Sequence, residues 1–273
     1  MDKKLLLIND MAGYGKVALS AMIPVLSHLG HHIYNLPTAL VSNTLDYGKF
    51  DILDTTDYMV NTIRVWNELN FTFDAAATGF IVSEKQAKIV ADFCKSLKET
   101  GAVIFVDPIM GDEGHLYNGV TENTIGHMKE LVKVSDYIVP NYTEASCLAG
   151  TEYLTDGMSE TQVDELIGRL ILLGAKSIVV TSAVVNGKDA TITYDHQSGK
   201  TRILNFDNIP VRFPGTGDIF SSIFIGNILN GKGLENSTQT AMDTVRKLIE
   251  LNQNNKDTYK GIPLESYLEV IHS

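Results

Sequence analysis

The sequence of 273 residues has few cysteines, little positive charge and no long apolar segment. Its two cysteines, Cys94 and Cys147, lack the spacing of metal ligands, so we expect buried free thiols, as in a cytoplasmic protein. No apolar run approaches the roughly 20 residues that a membrane-spanning helix needs. The run Leu5–Ile8 is shorter than a signal-peptide core and favours a first β-strand. We therefore expect a cytoplasmic location and no membrane partner.

Basic side chains are scarce, because Lys and Arg total 22 against 33 for Asp and Glu, giving a formal net charge of −11. Such an acidic chain is a poor candidate for binding nucleic acid. The sequence also lacks the lysine-containing phosphate loop Gly-x-x-x-x-Gly-Lys-Ser/Thr. An anionic substrate would therefore have to be met by backbone N–H groups or by a metal ion. The content of 44% hydrophobic and 20% charged residues is ordinary for a globular protein and excludes disorder as the main state.

Short apolar runs alternate with longer amphipathic ones along the chain. Two amphipathic stretches, Glu84–Thr100 and Ser159–Leu173, predict helices, and several of the apolar runs are apolar on both faces, as in a parallel sheet. The apolar runs are Leu5–Ile8, Ala75–Val82, Val103–Asp107, Tyr137–Pro140 and Ser177–Thr181. This succession predicts an α/β fold with a central, mostly parallel sheet and helices on both faces.

The alternation breaks once, where Ala190–Tyr194 and Thr201–Phe206 are β-type runs joined by a short polar segment. This pattern predicts a β-hairpin at one edge of the sheet. The sequence contains no internal repeat and no linker rich in Pro, Ser or Gly. We therefore expect a single domain over residues 1–273.

The segment Gly215-Thr216-Gly217-Asp218 precedes a long apolar helix, which we predict over Ile219–Leu229. Glycines here let successive N–H groups point the same way at a helix N-terminus, which predicts an anion-binding site. A carboxylate beside such a site, Asp218, suits a general base toward a substrate hydroxyl. The alternative is a glycine-rich turn in which Asp218 only caps the helix.

Polar side chains also follow three other predicted strands. Asp107 ends one strand and is followed by a glycine-containing loop, Gly111–Gly119, that could cover a phosphate. Asn141 and Glu144 follow the next strand, and oxygen ligands of this kind suit hydrated Mg²⁺. Thr181-Ser182 offers hydroxyls at a further strand end. The alternatives are an acidic surface turn at the first place and a helix cap with an acidic first turn at the second.

These motifs resemble the ribokinase-like superfamily. The resemblance is carried, in chain order, by Asp107–Asp112, Pro140–Ala145, Thr181–Ser182 and Gly215–Asp218. Within the superfamily the chain is similar to the pyridoxal kinase family, because Ser42–Gly48 also resembles that family's substrate-pocket segment. The resemblance implies a three-layer α/β/α ribokinase-like fold. It also implies ATP-dependent phosphorylation of the 5′-hydroxymethyl group of the vitamin B6 vitamers pyridoxal, pyridoxine and pyridoxamine.

The resemblance implies roles for the residues that match the family's motifs. Asp218 would be the base, and the N–H groups of Gly215, Thr216 and Gly217 would hold the developing negative charge. Mg²⁺ would be organised by Asp107 and Glu144. The nucleotide would be bound by Asp107, Asn141, Glu144, Thr181, Ser182 and Tyr117. The substrate would be bound by Asp10, Val41, Ser42, Asn43 and Tyr47. Members of the superfamily often use a monovalent cation such as K⁺, and pyridoxal kinases are usually homodimers.

The chain departs from the family near the substrate pocket. Asp10 and Met11 stand where the family commonly has Ser and His, and Ala18 and Leu19 stand where it has a Gly-Asn pair. These departures leave the preferred vitamer open. Because Asp10 is a carboxylate, it could favour pyridoxamine, which carries a cationic aminomethyl group, or it could bond to the pyridine nitrogen without discriminating.

Two other functions remain open at this point. Hydroxymethylpyrimidine kinase of thiamine biosynthesis has the same fold and similar chemistry, but those enzymes often carry Cys where this chain has Asp218. A non-catalytic B6-binding or nucleotide-binding protein of the same fold is the other alternative, and an intact Asp218 argues against it. A sugar kinase fits less well, because sugar kinases usually have a longer N-terminal part.

Overall fold

The computed structural model describes residues 2–117 and 121–272. Its α-helices are α1 (Ala18–His28), α2 (Thr56–Glu68), α3 (Glu84–Glu99), α4 (Glu122–Val134), α5 (Tyr142–Ala149), α6 (Glu160–Leu173), α7 (Thr216–Leu229) and α8 (Leu234–Asn252). Its β-strands are β1 (Lys4–Ala12), β2 (His32–Val41), β3 (Ile52–Asp54), β4 (Ala75–Thr78), β5 (Val103–Val106), β6 (Gly111–Asp112), β7 (His115–Leu116), β8 (Tyr137–Ile138), β9 (Ser177–Val185), β10 (Lys188–Asp195) and β11 (Lys200–Asn205).

The chain divides into two compact units. We call Met1–Val82 with Ile209–Ser273 unit 1, and Ser83–Asn208 unit 2. The expectation of a single domain over residues 1–273 stays a prediction.

In unit 1 the strand order is β4-β1-β2-β3. Strands β4, β1 and β2 are parallel, and β3 pairs antiparallel with β2 at the edge. The side chains of Leu5–Ile8 in β1 are fully buried. Because successive side chains of a strand point to opposite faces, protein covers both faces of β1. The carboxyl ends of the parallel strands share one edge, and the loops that follow β1 and β2 start there.

In unit 2 the strand order is β5-β8-β9-β10-β11. Strands β5, β8 and β9 are parallel, whereas β10 and β11 are antiparallel and form the outer hairpin. This hairpin confirms the one predicted within residues 190–206. A second, small antiparallel pair, β6 and β7, follows β5.

Most predicted elements are present with shifted ends. Helix α6 begins after Ser159, which forms a capping box with Gln162, as the spacing of these residues predicts. Helix α7 begins at Thr216, before its predicted start at Ile219. The strand predicted to end at Thr181 continues to Val185, so that boundary was wrong.

Within the described residues, no helix is long and apolar enough to cross a membrane. Cys94 in α3 is buried as expected, whereas Cys147 in α5 is only half-buried. Burial raises the pKa of the Cys94 thiol to about 12, so this thiol stays protonated and unreactive at neutral pH.

Candidate active site

The N-terminus of α7 in unit 1 begins at a glycine that the backbone requires. Gly215 is the N-cap residue, and its φ of 84° lies in the left-handed region. A Cβ atom at this position would lie 2.0 Å from the carbonyl oxygen of Lys16. Thr216 opens the helix and donates its hydroxyl to the carbonyl of Phe213 at 3.1 Å. Because Gly215 has no side-chain oxygen to cap them, the first N–H groups of α7 suit an anion.

Asp218 lies in the first turn of α7, but its carboxylate bonds to other segments of unit 1. Its Oδ2 accepts a hydrogen bond from the N–H of Ala18 at 2.8 Å, and the side chain of Asn9 also hydrogen-bonds to it. Burial raises the pKa of Asp218 to about 6, although these two hydrogen bonds lower it. A carboxylate whose pKa lies near neutrality suits proton transfer better than simple capping.

Asp10 lies at the carboxyl end of β1, near Asp218. Burial, followed by the charge of Asp218, raises the pKa of Asp10 to about 7, while the residue's own backbone N–H lowers it. The fold of unit 1 therefore brings together the predicted base and the predicted substrate residue Asp10.

The loop 13–17 between β1 and α1 contributes to this site, although the sequence analysis gave it no role. The N–H of Tyr14 donates to the carbonyl of Ser42 at 3.0 Å. Ala18 has a φ of 49°, which is rare for a residue with a side chain and indicates local strain. Its N–H bonds to Asp218, so the first residue of α1, directly after the loop, holds the candidate base. The Gly-x-Gly spacing of residues 13–15 was the available signal.

The predicted substrate residues at the end of β2 and in the loop that follows it bond mainly within that loop. Val41 is buried at the end of β2. Ser42 donates its hydroxyl to Asn43 Oδ1 at 2.7 Å, and Asn43 Nδ2 donates to the carbonyls of Thr44 and Lys49 at 3.0 and 2.9 Å. These bonds stabilise the loop. A contact of this loop with substrate therefore stays a prediction.

Tyr47 lies in an exposed aromatic cluster of unit 1. Its hydroxyl donates to the carboxylate of Asp257, with distances of 3.0 and 2.9 Å to the two oxygens. Its ring centroid lies 6.0 Å from that of Tyr14 and 5.6 Å from that of Tyr259. The cluster joins the segment near the C-terminus to the loops after β1 and β2.

In unit 2 the buried side chain of Glu144 is held by backbone groups. Its Oε2 accepts from the N–H of Asn141 at 2.8 Å and its Oε1 from the N–H of Met110 at 3.0 Å, and the N–H of Gly111 is a further donor. Burial, followed by the charge of Asp107, raises the pKa of Glu144 well above its usual value, and the backbone donors lower it. Glu144 thus ties the segment after β5 to the start of α5.

Asn141 is the N-cap residue of α5 and forms a capping box with Glu144. Its Oδ1 accepts from the N–H of Glu144 at 3.0 Å, and its Nδ2 donates to the carbonyl of Gly111 at 2.8 Å. The contacts of Asn141 and Glu144 are therefore those of a helix cap with an acidic first turn, the alternative considered for these two residues. The predicted nucleotide residues Asp107, Asn141 and Glu144 are nevertheless brought together in unit 2.

The residues present can accommodate Mg²⁺ by charge. The charge of Asp107 adds to burial in raising the pKa of Glu144, and a divalent cation would relieve the repulsion between the two carboxylates. Within the described residues, no group of three His, Cys, Asp or Glu side chains forms a closed metal site. Mg²⁺ is commonly held by one or two carboxylates together with water and substrate phosphates, which this pair permits.

The loop predicted over Gly111–Gly119 forms the β6–β7 hairpin in its first part, whereas Asn118 and Gly119 lie outside the described residues. The N–H of Gly114 donates to Thr143 Oγ1 at 2.9 Å, which fastens the hairpin tip to α5. The Tyr117 side chain is 44% exposed. Nucleotide binding by Tyr117 stays a prediction.

Strand β9 contains a β-bulge where the sequence analysis predicted a strand end. Ser182 has a φ of 54°, and the pairing register shifts between Ala190 and Ile192 of the neighbouring strand. The N–H of Thr181 donates to the carbonyl of Pro140 at 2.9 Å. A bulge re-aims side chains without ending the strand, so Ser182 is exposed while Thr181 is half-buried.

The family model described as phosphomethylpyrimidine kinase matches residues 18–262 of the chain. A candidate phosphomethylpyrimidine kinase from Bacteroides thetaiotaomicron VPI-5482, solved in an orthorhombic form with pyridoxal, is 31% identical with a TM-score of 0.93. That similarity covers 99% of this chain and 96% of the Bacteroides chain. The pyridoxal kinase of Dictyostelium discoideum is 26% identical over 287 residues, covering 99% of this chain and 93% of that protein.

A crystal structure of pyridoxal kinase from Lactobacillus plantarum is 24% identical with a TM-score of 0.88, and the similarity covers 98% of this chain and 96% of that chain. At this identity the likeness concerns the fold alone. Together with the Bacteroides structure, it confirms the expected ribokinase-like α/β fold.

Proposed function

Because the chain belongs to the phosphomethylpyrimidine kinase family, we propose that it transfers the γ-phosphoryl group of ATP to the 5′-hydroxymethyl group of a vitamin B6 vitamer. The observation that carries this proposal is the half-buried Asp218 at the N-terminus of α7, with a pKa raised to about 6. The choice of a B6 vitamer is supported by the Bacteroides relative, whose structure contains pyridoxal, and by the Dictyostelium relative, a pyridoxal kinase.

In the proposed reaction, Asp218 accepts the proton of the substrate hydroxyl as its oxygen attacks the γ-phosphorus. The bond between that phosphorus and the bridging oxygen of ADP breaks, so the products are a phosphate monoester and ADP. The transition state of such transfers is largely dissociative, so positioning and charge neutralisation are the main contributions of the protein. The N–H groups of Gly215, Thr216 and Gly217 suit the negative charge on the transferred group.

In unit 2 we propose that Asp107, Asn141, Glu144, Thr181, Ser182 and Tyr117 bind the nucleotide. Mg²⁺, when bound with ATP, would neutralise phosphate charge. Asp107 and Glu144 would organise it, and Glu144 already accepts hydrogen bonds from backbone N–H groups at both oxygens. Glu144 would then act on the metal through bound water and by fixing the segment after β5. A role for K⁺ remains part of the proposal with no side chain assigned to it.

Hydroxymethylpyrimidine is the second candidate substrate, favoured by the description of the matching family. It shares with the B6 vitamers a flat heteroaromatic ring that carries a hydroxymethyl group. Enzymes of thiamine synthesis often carry Cys at the position of Asp218. The presence of Asp218 therefore favours the B6 vitamers as substrates.

The test is a kinase assay with Mg·ATP and four separate substrates: pyridoxal, pyridoxine, pyridoxamine and hydroxymethylpyrimidine. Each product is identified by mass spectrometry. The proposal expects the highest kcat/KM for one of the three vitamers. A higher kcat/KM for hydroxymethylpyrimidine would reassign the enzyme to thiamine synthesis. If none of the four substrates supported ATP turnover, both assignments would be contradicted.

We also propose that the protein is a cytoplasmic homodimer. The dimer is supported by the edge of unit 1, where β3 and α2 expose several large apolar side chains: Ile52, Leu53, Tyr58, Val60 and Val65. An exposed edge strand with apolar neighbours is typically covered by a partner. Light scattering after size-exclusion chromatography should give twice the chain mass of 30.0 kDa, and Leu53→Lys should shift the protein toward the monomer. A wild-type monomer at micromolar concentration would contradict this assembly.

A further inference from the structure

Asn9 is a buried amide at the end of β1, directly before Asp10, and its side chain is only 2% exposed. Its Oδ1 accepts two hydrogen bonds, from the N–H of Phe80 at 2.8 Å and from the N–H of Asp10 at 3.0 Å. Its Nδ2 contacts Met22 Sδ at 3.5 Å, and the side chain hydrogen-bonds to Asp218. One side chain thus touches the Asp218 carboxylate and the backbone of Asp10.

These contacts fix the direction in which the amide points. A backbone N–H can only donate, so the two N–H groups require the oxygen of Asn9 on their side, and the nitrogen must lie on the side of Asp218. The side chain also packs directly against Gly79, where a Cβ atom would lie only 2.4 Å from Asn9 Cγ. The amide therefore cannot turn over without breaking two hydrogen bonds to the backbone.

We propose that Asn9 is a positioning residue for phosphoryl transfer, which holds the Asp218 carboxylate in the orientation needed to accept the substrate proton. The inference rests on the proposed function, since Asp218 needs this orientation only if it receives a proton. Ala18 N–H holds the carboxylate from the start of α1. Asn9 holds it from β1, so the carboxylate is fixed by two separate segments.

The charges around Asp218 determine the direction of the expected effect. Asp10 lies near it on β1, and the charge of Asp218 raises the pKa of Asp10, whereas the Asn9 amide and the Ala18 N–H stabilise the ionised form of Asp218. The cation on the neighbouring loop, Lys16, is paired with Glu265. Loss of the Asn9 donor should therefore raise the pKa of Asp218.

Two variants separate positioning from folding. Asn9→Asp keeps an acceptor for the N–H groups of Phe80 and Asp10 but removes the donor to Asp218, and Asn9→Ala removes both functions. Thr78→Val is the matched control, because Thr78 in the adjacent strand is also buried and its hydroxyl has no hydrogen-bond partner in the part of the chain that the structure describes. Thermal unfolding of each variant shows whether the fold is intact.

The first readout does not depend on enzyme activity. The carboxyl ¹³C signals of labelled aspartates are titrated in the free protein, with Asp218→Asn and Asp10→Asn used for assignment. Both Asn9 variants should raise the titration midpoint of Asp218 by about one pH unit, while Thr78→Val leaves it unchanged. An unchanged midpoint in a folded Asn9→Ala protein would overturn the proposal, whether or not the wild type phosphorylates a vitamer.

The second readout is the pH profile of kcat with saturating Mg·ATP and pyridoxal. The acid limb should move to higher pH by about the same amount in both Asn9 variants, and kcat at pH 7 should fall roughly tenfold or more with little change in the KM for ATP. A fall in kcat with an unmoved acid limb would reduce Asn9 to a structural residue. Absence of phosphorylation by the wild type would refute the proposed function and leave the ¹³C titration to decide the role of Asn9.

Discussion

Asp218 in unit 1 and Glu144 in unit 2 both lie in the first turn of a helix and both have an acidic neighbour, yet their oxygens have different partners. Glu144 accepts hydrogen bonds from backbone N–H groups, one of them at the N-cap of its own helix. Asp218 accepts from the N–H of Ala18 and from the side chain of Asn9, which both belong to other segments of unit 1. An acidic residue in the first turn of a helix therefore does not by itself identify a catalytic base. Its hydrogen-bond partners distinguish a helix cap from a candidate base.

Solvent access reinforces this difference. Glu144 is 3% exposed and links the segment after β5 to α5 through its hydrogen bonds. Asp218 is half-buried, in a helix whose N-cap residue is a glycine. A base must reach a substrate hydroxyl, so only the second environment suits proton transfer. Glu144 is better suited to holding the geometry on which a nucleotide site would depend.

The largest expected effect comes from Asp218→Asn, which keeps the size of the side chain but removes its ability to accept a proton. We expect kcat to fall by roughly 10²–10⁴, with nucleotide binding little changed, because general base catalysis commonly contributes this much. Steady-state kinetics with pyridoxal and calorimetry with ATP measure the two quantities. Asp243→Asn, at an exposed position on α8, is the control and should retain wild-type turnover. Near-wild-type turnover of Asp218→Asn would remove its assigned role.

A smaller effect is expected from Asp10→Ser on the choice of vitamer. With a pKa of about 7, Asp10 is ionised above that pH and neutral below it, so its attraction for the cationic aminomethyl group of pyridoxamine should weaken as the pH falls. The ratio of kcat/KM for pyridoxamine over pyridoxine should be about five- to tenfold higher in the wild type than in the variant at pH 8. At pH 6 the two ratios should converge. Equal ratios at both pH values would make Asp10 a general pocket residue.

The smallest effect on turnover is expected from Glu144→Gln. In this variant the side-chain amide nitrogen would face a backbone N–H group that donates a hydrogen bond to the carboxylate in the wild type. An unsatisfied buried donor costs about 1–3 kcal/mol, so the free energy of unfolding should fall by that order and the Tm by several degrees. The Mg²⁺ concentration required for half-maximal activity should rise at the same time. Differential scanning calorimetry and a Mg²⁺ titration test the two parts. An unchanged Tm would show that the capping bonds contribute little to stability, and an unchanged titration would move the metal site elsewhere.

The sequence was sufficient to predict the elements that have strong local patterns. Buried parallel strands such as Leu5–Ile8 are apolar on both faces, and α6 carries its own start signal in Ser159 and Gln162. Helix α1 was not assigned, because it contains Pro24 and its N-cap residue Val17 has no capping side chain. Local pattern could not reveal such an element, because its packing depends on distant parts of the chain.

The candidate site could be predicted only where its residues form a contiguous motif. Gly215–Asp218 is such a motif, whereas Asn9 and Ala18 reach Asp218 from positions about 200 residues earlier and carry no signal of their own. The bulge at Ser182 depends on the register of β9 against β10, which the sequence of β9 alone does not fix. Long-range contacts and register therefore account for most of what sequence analysis missed.

The most direct test of the central claim, that Asp218 is a base with a raised pKa, is the pH dependence of kcat/KM for pyridoxal at saturating Mg·ATP. The account predicts an acid limb in the wild type with a midpoint near the pKa of Asp218, about 6. Activity should rise through that pH, because the carboxylate must be ionised to accept the substrate proton. The residual activity of Asp218→Asn should lack this limb. Wild-type activity that stays constant down to pH 5, or an acid limb that persists in Asp218→Asn, would contradict the claim.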